Sequence, residues 1–248
     1  MSDQAMQRAL AVKRRYKQEL LRKANVVTVG IGYCSRGGVQ SRRVCIAVSV
    51  KSKVPPSKLK PQDVIPAEIE NVPVDVVETG EIRALATTRP VNCGFAISLG
   101  CGCSQLALLR RLLGIVKPMI NEPGNNTVDC AIARPLSADL VDPDILNIGI
   151  PTGVGTVTLG IPVQKSGRTT DQITQLDVTV SVVYGTQIAV FRNQLVADAM
   201  SQGGDSGSVV LDMDRQVVGL LFAGSTSTTI MNPIQLVLDI LQVQVVTA

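Results

Sequence analysis

The chain has 248 residues with a formal net charge of +4 at pH 7, an excess too small to indicate a nucleic-acid partner. No apolar run reaches the ~18 residues of a membrane span, so we expect no membrane partner either. Apolar residues make up 45% of the chain and aromatic residues only 2%, and a core of Val, Ile and Leu side chains favours β structure.

The N-terminal residues predict one helix followed by a β-hairpin. Residues 3–24 are helix formers without Gly or Pro. Residues 26–33 and 44–51 alternate apolar and polar side chains, and residues 35–38 supply the turn between these two strands. The basic side chains of the helix are expected to form a solvated face rather than a nucleic-acid or lipid surface. They are Arg8, Lys13, Arg14, Arg15, Lys17, Arg22 and Lys23.

A third strand is expected over residues 72–78, after a proline-rich loop with at most a short helix at residues 66–69. With the helix and the hairpin, this strand would complete a small α+β domain over residues 1–84. The stretch from residue 79 to residue 90 then forms the domain boundary.

The C-terminal half is rich in short strands separated by turns that contain glycine. Asn232 and Pro233 are expected to begin a final helix, with Asn232 as its N-cap and Pro233 at its first position. Many short strands followed by one helix predict a β-barrel with that helix packed against it. The strands are expected at residues 153–160, 161–165, 173–184, 187–192, 208–211 and 217–222.

The N-terminus lacks the pattern of a secretory signal, so we expect a cytoplasmic protein whose six cysteines are reduced. Cys34 and Cys45 flank the hairpin loop and are placed to pair across its strands under oxidising conditions. The other four cysteines include a Cys-x-Cys pair, which is not the usual spacing of zinc ligands. We therefore expect no metal and no cofactor. These four are Cys93, Cys101, Cys103 and Cys130.

The most informative segment is the loop at residues 203–207, which reads Gly-Gly-Asp-Ser-Gly. Trypsin-like serine peptidases present their nucleophile on such a loop, and Ser206 would be that nucleophile. Glycine at position 204 allows the amides of Gly204 and Ser206 to converge on the oxyanion of a tetrahedral intermediate. A serine hydroxyl also needs a base to take its proton, and the imidazole that usually does so is missing, because the chain has no histidine.

Several segments occur in the order seen in bacterial chymotrypsin-fold peptidases of the streptogrisin kind, over roughly residues 150–245. Together with the N-terminal domain, the chain most resembles the bacterial trypsin-like peptidases related to the plant narrow-leaf proteins. The resemblance implies a mainly β fold, in which residues 85–248 form a chymotrypsin-like β-barrel domain with a C-terminal helix. The matching segments are residues 164–170, the hairpin around 184–185, residues 203–207, residues 219–225 and the final helix.

The resemblance also implies roles for individual residues. Ser206 matches the nucleophile, Gly204 and Ser206 match the oxyanion donors, and Asp129 matches the carboxylate that orients the imidazole. Met200 falls at the floor of the primary specificity pocket. Without the resemblance, Asp129 would only bind backbone amides and Met200 would only fill the core. The strand that pairs with substrate backbone is matched by Ala223, Gly224 and Ser225.

The chain departs from this family in two places. Asp171 and Gln175 stand where such peptidases usually have glycines. Residues 93–125 should hold the strands and the histidine of a first barrel, but residues 104–116 have apolar side chains at helical spacing. A first barrel that is truncated explains both the missing histidine and the shortness of residues 85–248.

Three interpretations of function stay open. The first is a degenerate serine peptidase with little or no hydrolysis. The second is a Ser–Lys hydrolase that recruits Lys165 or Lys117 as its base, although nothing around either lysine indicates the desolvation that a neutral lysine needs. The third is a module that binds a peptide or protein along residues 223–225, or that assembles with copies of itself through an edge left by the missing strands.

Overall fold

The computed structural model describes residues 3–36, 39–85, 126–130, 142–166 and 168–247. The helix predicted at residues 104–116 lies outside these ranges, as do Lys117, Cys93, Cys101 and Cys103. The elements in chain order are α1 (Asp3–Arg22), β1 (Val26–Arg36), β2 (Val39–Val50), β3 (Glu68–Ile69), β4 (Val72–Glu78), β5 (Arg83–Ala84), β6 (Gly153–Val154), β7 (Pro162–Lys165), β8 (Arg168–Tyr184), β9 (Gln187–Ala197), β10 (Val209–Asp212), β11 (Gln216–Gly224), β12 (Thr229–Pro233) and α2 (Ile234–Leu241).

The N-terminal elements form a helix packed on a small sheet. β1 and β2 are the antiparallel hairpin predicted from the alternating pattern, with Ile31 paired to Ile46. β4 adds to β2 in the parallel direction, which the passage through residues 51–71 permits. The predicted helix, hairpin and third strand are therefore confirmed. The helix packs its buried apolar face, which includes Ala9, Val12 and Leu20, on the sheet.

The short helix expected at residues 66–69 is wrong, because Glu68 and Ile69 form β3 and pair with β4. Ile69 lies opposite Val72, so the connection between them has two residues, Glu70 and Asn71. Both have positive φ, +48° and +60°, as a type I′ hairpin turn requires. This turn brings the buried side chains of Ile69 and Val72 together against the core.

Six strands of the C-terminal half pair in a closed ring, in the order β7, β8, β9, β12, β11, β10 and back to β7. Closing the ring leaves each strand with a neighbour on both sides, so its backbone groups are paired without a free edge. Side chains such as Val210, Leu221 and Met231 point inward and are fully buried. The predicted mainly β fold with a barrel is confirmed.

The small sheet continues into the barrel through a pairing of β1 with β8, in which Val29 lies opposite Thr179. β1 carries Gly30 where β8 approaches closely, since a Cβ there would lie 2.6 Å from Cγ2 of Val178. α1 adds a second connection, because the ammonium of Lys13 binds both the carboxylate and the carbonyl oxygen of Asp177. The prediction of a solvated Lys13 is therefore wrong: the side chain is 1% exposed. Burial lowers its pKa, and Asp177 opposes that change.

The C-terminal helix begins later than predicted, because β12 runs through Asn232 and Pro233 before α2 starts at Ile234. Asn232 is not an N-cap. Its amide donates to the carbonyl oxygens of Asp129 at 2.9 Å and Leu220 at 3.2 Å. The apolar face of α2 packs on the outside of the barrel as expected. Among the described residues, no helix has the length and apolar character needed to cross a membrane.

Candidate functional site

The loop at residues 203–207, predicted to carry the nucleophile, lies between β9 and β10 and is held by backbone hydrogen bonds. Gly204 and Gly207 have φ of +101° and +89°, in the left-handed region that favours glycine. The N–H of Gly207 donates to the carbonyl oxygen of Leu221 on β11 at 2.8 Å, which fixes the end of the loop to the barrel. Ser206 lies between these two glycines and is partly buried. The positive φ of Gly204 and Gly207 is therefore a structural reason for glycine at both positions.

Asp205, whose side chain is 25% exposed, anchors the loop through an ion pair with a buried lysine. Its carboxylate lies 3.2 Å from the ammonium of Lys165, whose side chain is 2% exposed. The same carboxylate accepts a hydrogen bond of 2.9 Å from the N–H of Gln202. Lys165 also donates to the carbonyl oxygen of Ser166 at 3.3 Å. The ammonium of Lys165 is thus engaged in holding Asp205, and the loop is tied to the end of β7.

Asp129 lies in a mostly buried position beside β12 and the end of β8. Its backbone N–H donates to Oδ1 of Asn232 at 2.9 Å, and its carbonyl accepts from the amide of Asn232. Its carboxylate accepts a hydrogen bond from the hydroxyl of Tyr184. Burial raises the pKa of Asp129, and the bond from Tyr184 opposes the rise. Burial is the main cause that raises the pKa of Tyr184, and the charge of Asp129 adds to it. The same two causes raise the pKa of Cys130 to about 11.

The sequence did not identify Tyr184 as the partner of Asp129. A buried carboxylate without a donor is costly, so some hydroxyl or amide had to be expected. Tyr184 ends β8, and its ring packs 6.2 Å from the ring of Phe191 on β9. That aromatic contact sets the direction of the hydroxyl towards Asp129. The chain has three tyrosines, and the position of Tyr184 at the end of a predicted strand was the signal that could have identified it as the donor.

The strand predicted to pair with substrate is already paired with another part of the chain. Ala223 and Gly224 on β11 lie opposite Ala84 and Arg83 of β5 in antiparallel register. The N–H of Leu85 donates to the carbonyl oxygen of Phe222 at 3.0 Å. Residues 83–85 therefore lie extended along the predicted cleft. Sequence reasoning missed this segment, which it assigned to the domain boundary.

The predicted oxyanion donor and the predicted pocket both meet Leu85. The N–H of Gly204 donates to the carbonyl oxygen of Leu85 at 2.9 Å. The side chain of Leu85 packs against the buried apolar cluster that contains Met200, which is 1% exposed. A Cβ added to Gly224 would lie 3.4 Å from Cδ1 of Leu85 and 3.0 Å from Oγ of Ser201. Gly204, Met200 and Gly224 are thus gathered around one leucine.

The N–H of Ser225 donates to the carbonyl oxygen of Thr228 at 2.8 Å, so this donor is engaged in the turn between β11 and β12. Asp129 makes its hydrogen bonds with Tyr184 of β8 and Asn232 of β12. β12 pairs with one edge of β11, whereas β10, which follows the loop with Ser206, pairs with the other edge. Asp171 pairs with Val163 on β7, and Gln175 is buried under Gly30, so both departures from glycine are accommodated in β8.

The part of the chain that the structure describes holds no group of three or more His, Cys, Asp or Glu side chains able to bind a metal ion.

No protein-family model matches the chain, and no curated protein sequence matches it. Solved structures do match part of it. Cellulomonas bogoriensis chymotrypsin is 24% identical over 39% of this chain and 55% of its own, with a TM-score of 0.33. Thermobifida fusca protease A is 24% identical over 44% of this chain and 62% of its own, with a TM-score of 0.37. Nocardiopsis protease is 18% identical over 42% of this chain and 59% of its own, with a TM-score of 0.34.

The chain spans about three fifths of the length of these solved structures. It is similar, over less than half of its residues, to bacterial serine proteases.

Proposed function

We propose that the chain is a degenerate serine peptidase that binds an extended peptide along β11 and hydrolyses it little or not at all. The observation that carries the proposal is the hydrogen bond from Gly204 to the carbonyl oxygen of Leu85. The first donor of the Gly-Asp-Ser-Gly loop here meets the carbonyl of a peptide that lies on the neighbouring strand. A peptide ligand is the partner that such a cleft fits, since strand pairing supplies affinity and a side-chain pocket supplies selectivity.

The lack of a base argues for weak hydrolysis. A serine hydroxyl attacks a carbonyl only as fast as a neighbouring base removes its proton, and this chain contributes no imidazole. Asp129, which would orient that imidazole in the family, accepts its hydrogen bond from Tyr184 instead. Oxyanion stabilisation without the base retains only about 10³ to 10⁴ of rate over water, out of a far larger total.

The Ser–Lys alternative receives less support from the contacts of Lys165. Its ammonium is 3.2 Å from the carboxylate of Asp205 and donates to Ser166. An ammonium in that position is a donor in an ion pair rather than a neutral base facing Ser206. The Ser–Lys alternative would require Lys165, whose side chain is 2% exposed, to give up its ion pair with Asp205.

The chain itself provides the test of hydrolysis, because its own peptide lies in the cleft. If Ser206 were an effective nucleophile, attack at the carbonyl carbon of Leu85 would break the Leu85–Ala86 bond and water would release the acyl group. We expect intact-protein mass spectrometry of the purified chain to show one uncut species after prolonged incubation. A fragment that ends at Leu85, formed by the chain but not by its Ser206→Ala variant, would contradict the proposal.

A further inference from the structure

We propose that residues 83–85 are an intramolecular ligand that occupies the cleft, and that the pocket beneath them selects an aliphatic side chain of about the size of leucine. The inference rests on the proposed function and adds to it the class of ligand and the way in which access is controlled. An external peptide would bind only when this segment leaves β11.

The backbone contacts of the segment are those of a ligand strand. Arg83 and Ala84 pair with Gly224 and Ala223, and the N–H and the carbonyl oxygen of Leu85 bind Phe222 and Gly204. These contacts use backbone atoms, so they would hold any extended peptide in the same register. The N–H of Leu85 makes the last contact with β11, and its carbonyl oxygen makes the contact with the loop at residues 203–207.

The side-chain contacts give the selectivity. Leu85 packs against the buried cluster that includes Met200, Ala197 and Leu221. Gly224 borders the same pocket, since a Cβ there would lie 3.4 Å from Cδ1 of Leu85, an ordinary van der Waals contact. Around this leucine the structure places apolar side chains and the hydroxyl of Ser201, which already bonds Thr229 at 2.8 Å. Burying a charged side chain there would leave its charge unpaired, so an aliphatic side chain is favoured.

The segment is anchored upstream by Ile82, and among its own residues Ala84 and Leu85 are partly buried. Ile82 is fully buried in the barrel core, and its carbonyl oxygen accepts from the N–H of Val183 at 3.0 Å. Arg83, by contrast, has a side chain that is 65% exposed. A ligand tethered by a neighbouring buried residue has an effective concentration in the millimolar range, which a free peptide must overcome.

The experiment measures binding of a fluorescein-labelled Arg-Ala-Leu amide to the full chain by fluorescence anisotropy. Leu85→Pro removes both the side chain and the N–H that binds Phe222. Leu85→Ala keeps the backbone and empties the pocket, which provides a second variant if proline impairs folding. Leu85→Met, of similar volume, and Lys58→Ala, at an exposed position outside the segment, are the matched controls, and circular dichroism confirms that each variant is folded.

We expect Leu85→Pro and Leu85→Ala to bind the peptide at least tenfold more tightly than the wild-type chain and the Leu85→Met and Lys58→Ala variants do. An Arg-Ala-Asp amide should bind none of them. Equal affinity across wild type and variants would overturn the intramolecular ligand but leave the proposed peptide cleft intact. No binding to any folded variant would overturn the proposed function and this inference together. Preference for the Asp peptide would overturn the aliphatic pocket.

Discussion

The N–H of Gly204 lies 2.9 Å from the carbonyl oxygen of Leu85, so the loop that carries Ser206 is bonded to a residue that precedes the barrel strands in sequence. This bond depends on the backbone of Gly204, whose φ of +101° is rarely adopted by residues with a Cβ. Changes at Gly204 should therefore affect the loop and the cleft together.

Gly204→Ala should reduce the free energy of unfolding by about 1 to 3 kcal/mol, the usual cost of forcing a residue with a Cβ into such a conformation. Urea denaturation measures this loss. Gly203→Ala is the matched control, because the neighbouring glycine is exposed and does not have positive φ. If both substitutions have the same small effect, the left-handed conformation of Gly204 is not what holds the loop.

Lys165→Met should destabilise the chain, because it leaves the carboxylate of Asp205 without its ammonium partner. Because the carboxylate of Asp205 is 25% exposed, water offsets part of the loss, and we expect a cost of about 1 kcal/mol. Lys165→Met combined with Asp205→Asn should recover part of that loss, because the unpaired charge is gone. Chemical denaturation of the four proteins in this cycle checks the coupling. Additive losses would show that the two side chains do not stabilise each other.

Ser206 should react slowly with a fluorophosphonate probe, since no imidazole activates its hydroxyl. We expect labelling of the wild-type chain and of the Leu85→Ala variant, in which the pocket is empty, to be far slower than labelling of an intact bacterial serine protease. Ser206→Ala sets the background. Rapid labelling that is lost in both Ser206→Ala and Lys165→Ala would favour the Ser–Lys alternative instead.

The pKa of Asp129 is raised by burial, so the folded chain holds this proton more tightly than the unfolded chain does. The contribution of this carboxyl to the free energy of unfolding is therefore greatest at acid pH. It falls as the pH rises from the pKa of the group in the unfolded chain through its pKa in the folded chain. Asp129→Asn removes this titration and keeps an acceptor for Tyr184. Measured by urea denaturation, the stability of Asp129→Asn relative to wild type should increase from about pH 4 to pH 7.

Tyr184→Phe tests the same interaction from the side of the hydrogen-bond donor. It removes the hydroxyl that lowers the pKa of this carboxyl, so the buried group loses its donor. The variant should be less stable than wild type at neutral pH, with a steeper loss as pH rises from 4. A stability profile parallel to that of the wild type would show that the bond to Tyr184 does not affect the ionisation of Asp129.

Local pattern was sufficient to predict the helix over residues 3–24, the first hairpin and five of the six barrel strands, because each buries one face with a regular period. The sixth, β12, was not predicted, and the strand expected at residues 153–160 is reduced to Gly153–Val154. The turn at Glu70 and Asn71 was missed because neither residue is the glycine that positive φ usually demands. Lys13 and Asn232 were misjudged because their partners, Asp177 and Asp129, are distant in sequence.

The same distance explains the missed part of the site. Ser206 and its glycines carry a motif that is readable locally, whereas the role of Leu85 depends on strands that follow it by more than a hundred residues. Its own neighbours, Ile82 to Ala84, look like a short boundary segment. The pairing of β5 with β11 is what shows that this segment lies along the predicted cleft.

The pairing of Val29 with Thr179 also has a consequence for synthesis of the chain. The ribosome releases β1 long before β8, so the edge of β1 that will pair with β8 stays open while the intervening residues are made. Closing so long a loop is slow, and an open strand edge is the usual starting point of aggregation. A nascent or truncated chain that stops before β8 would carry that edge exposed to solvent, with Lys13 lacking the carboxylate that neutralises it.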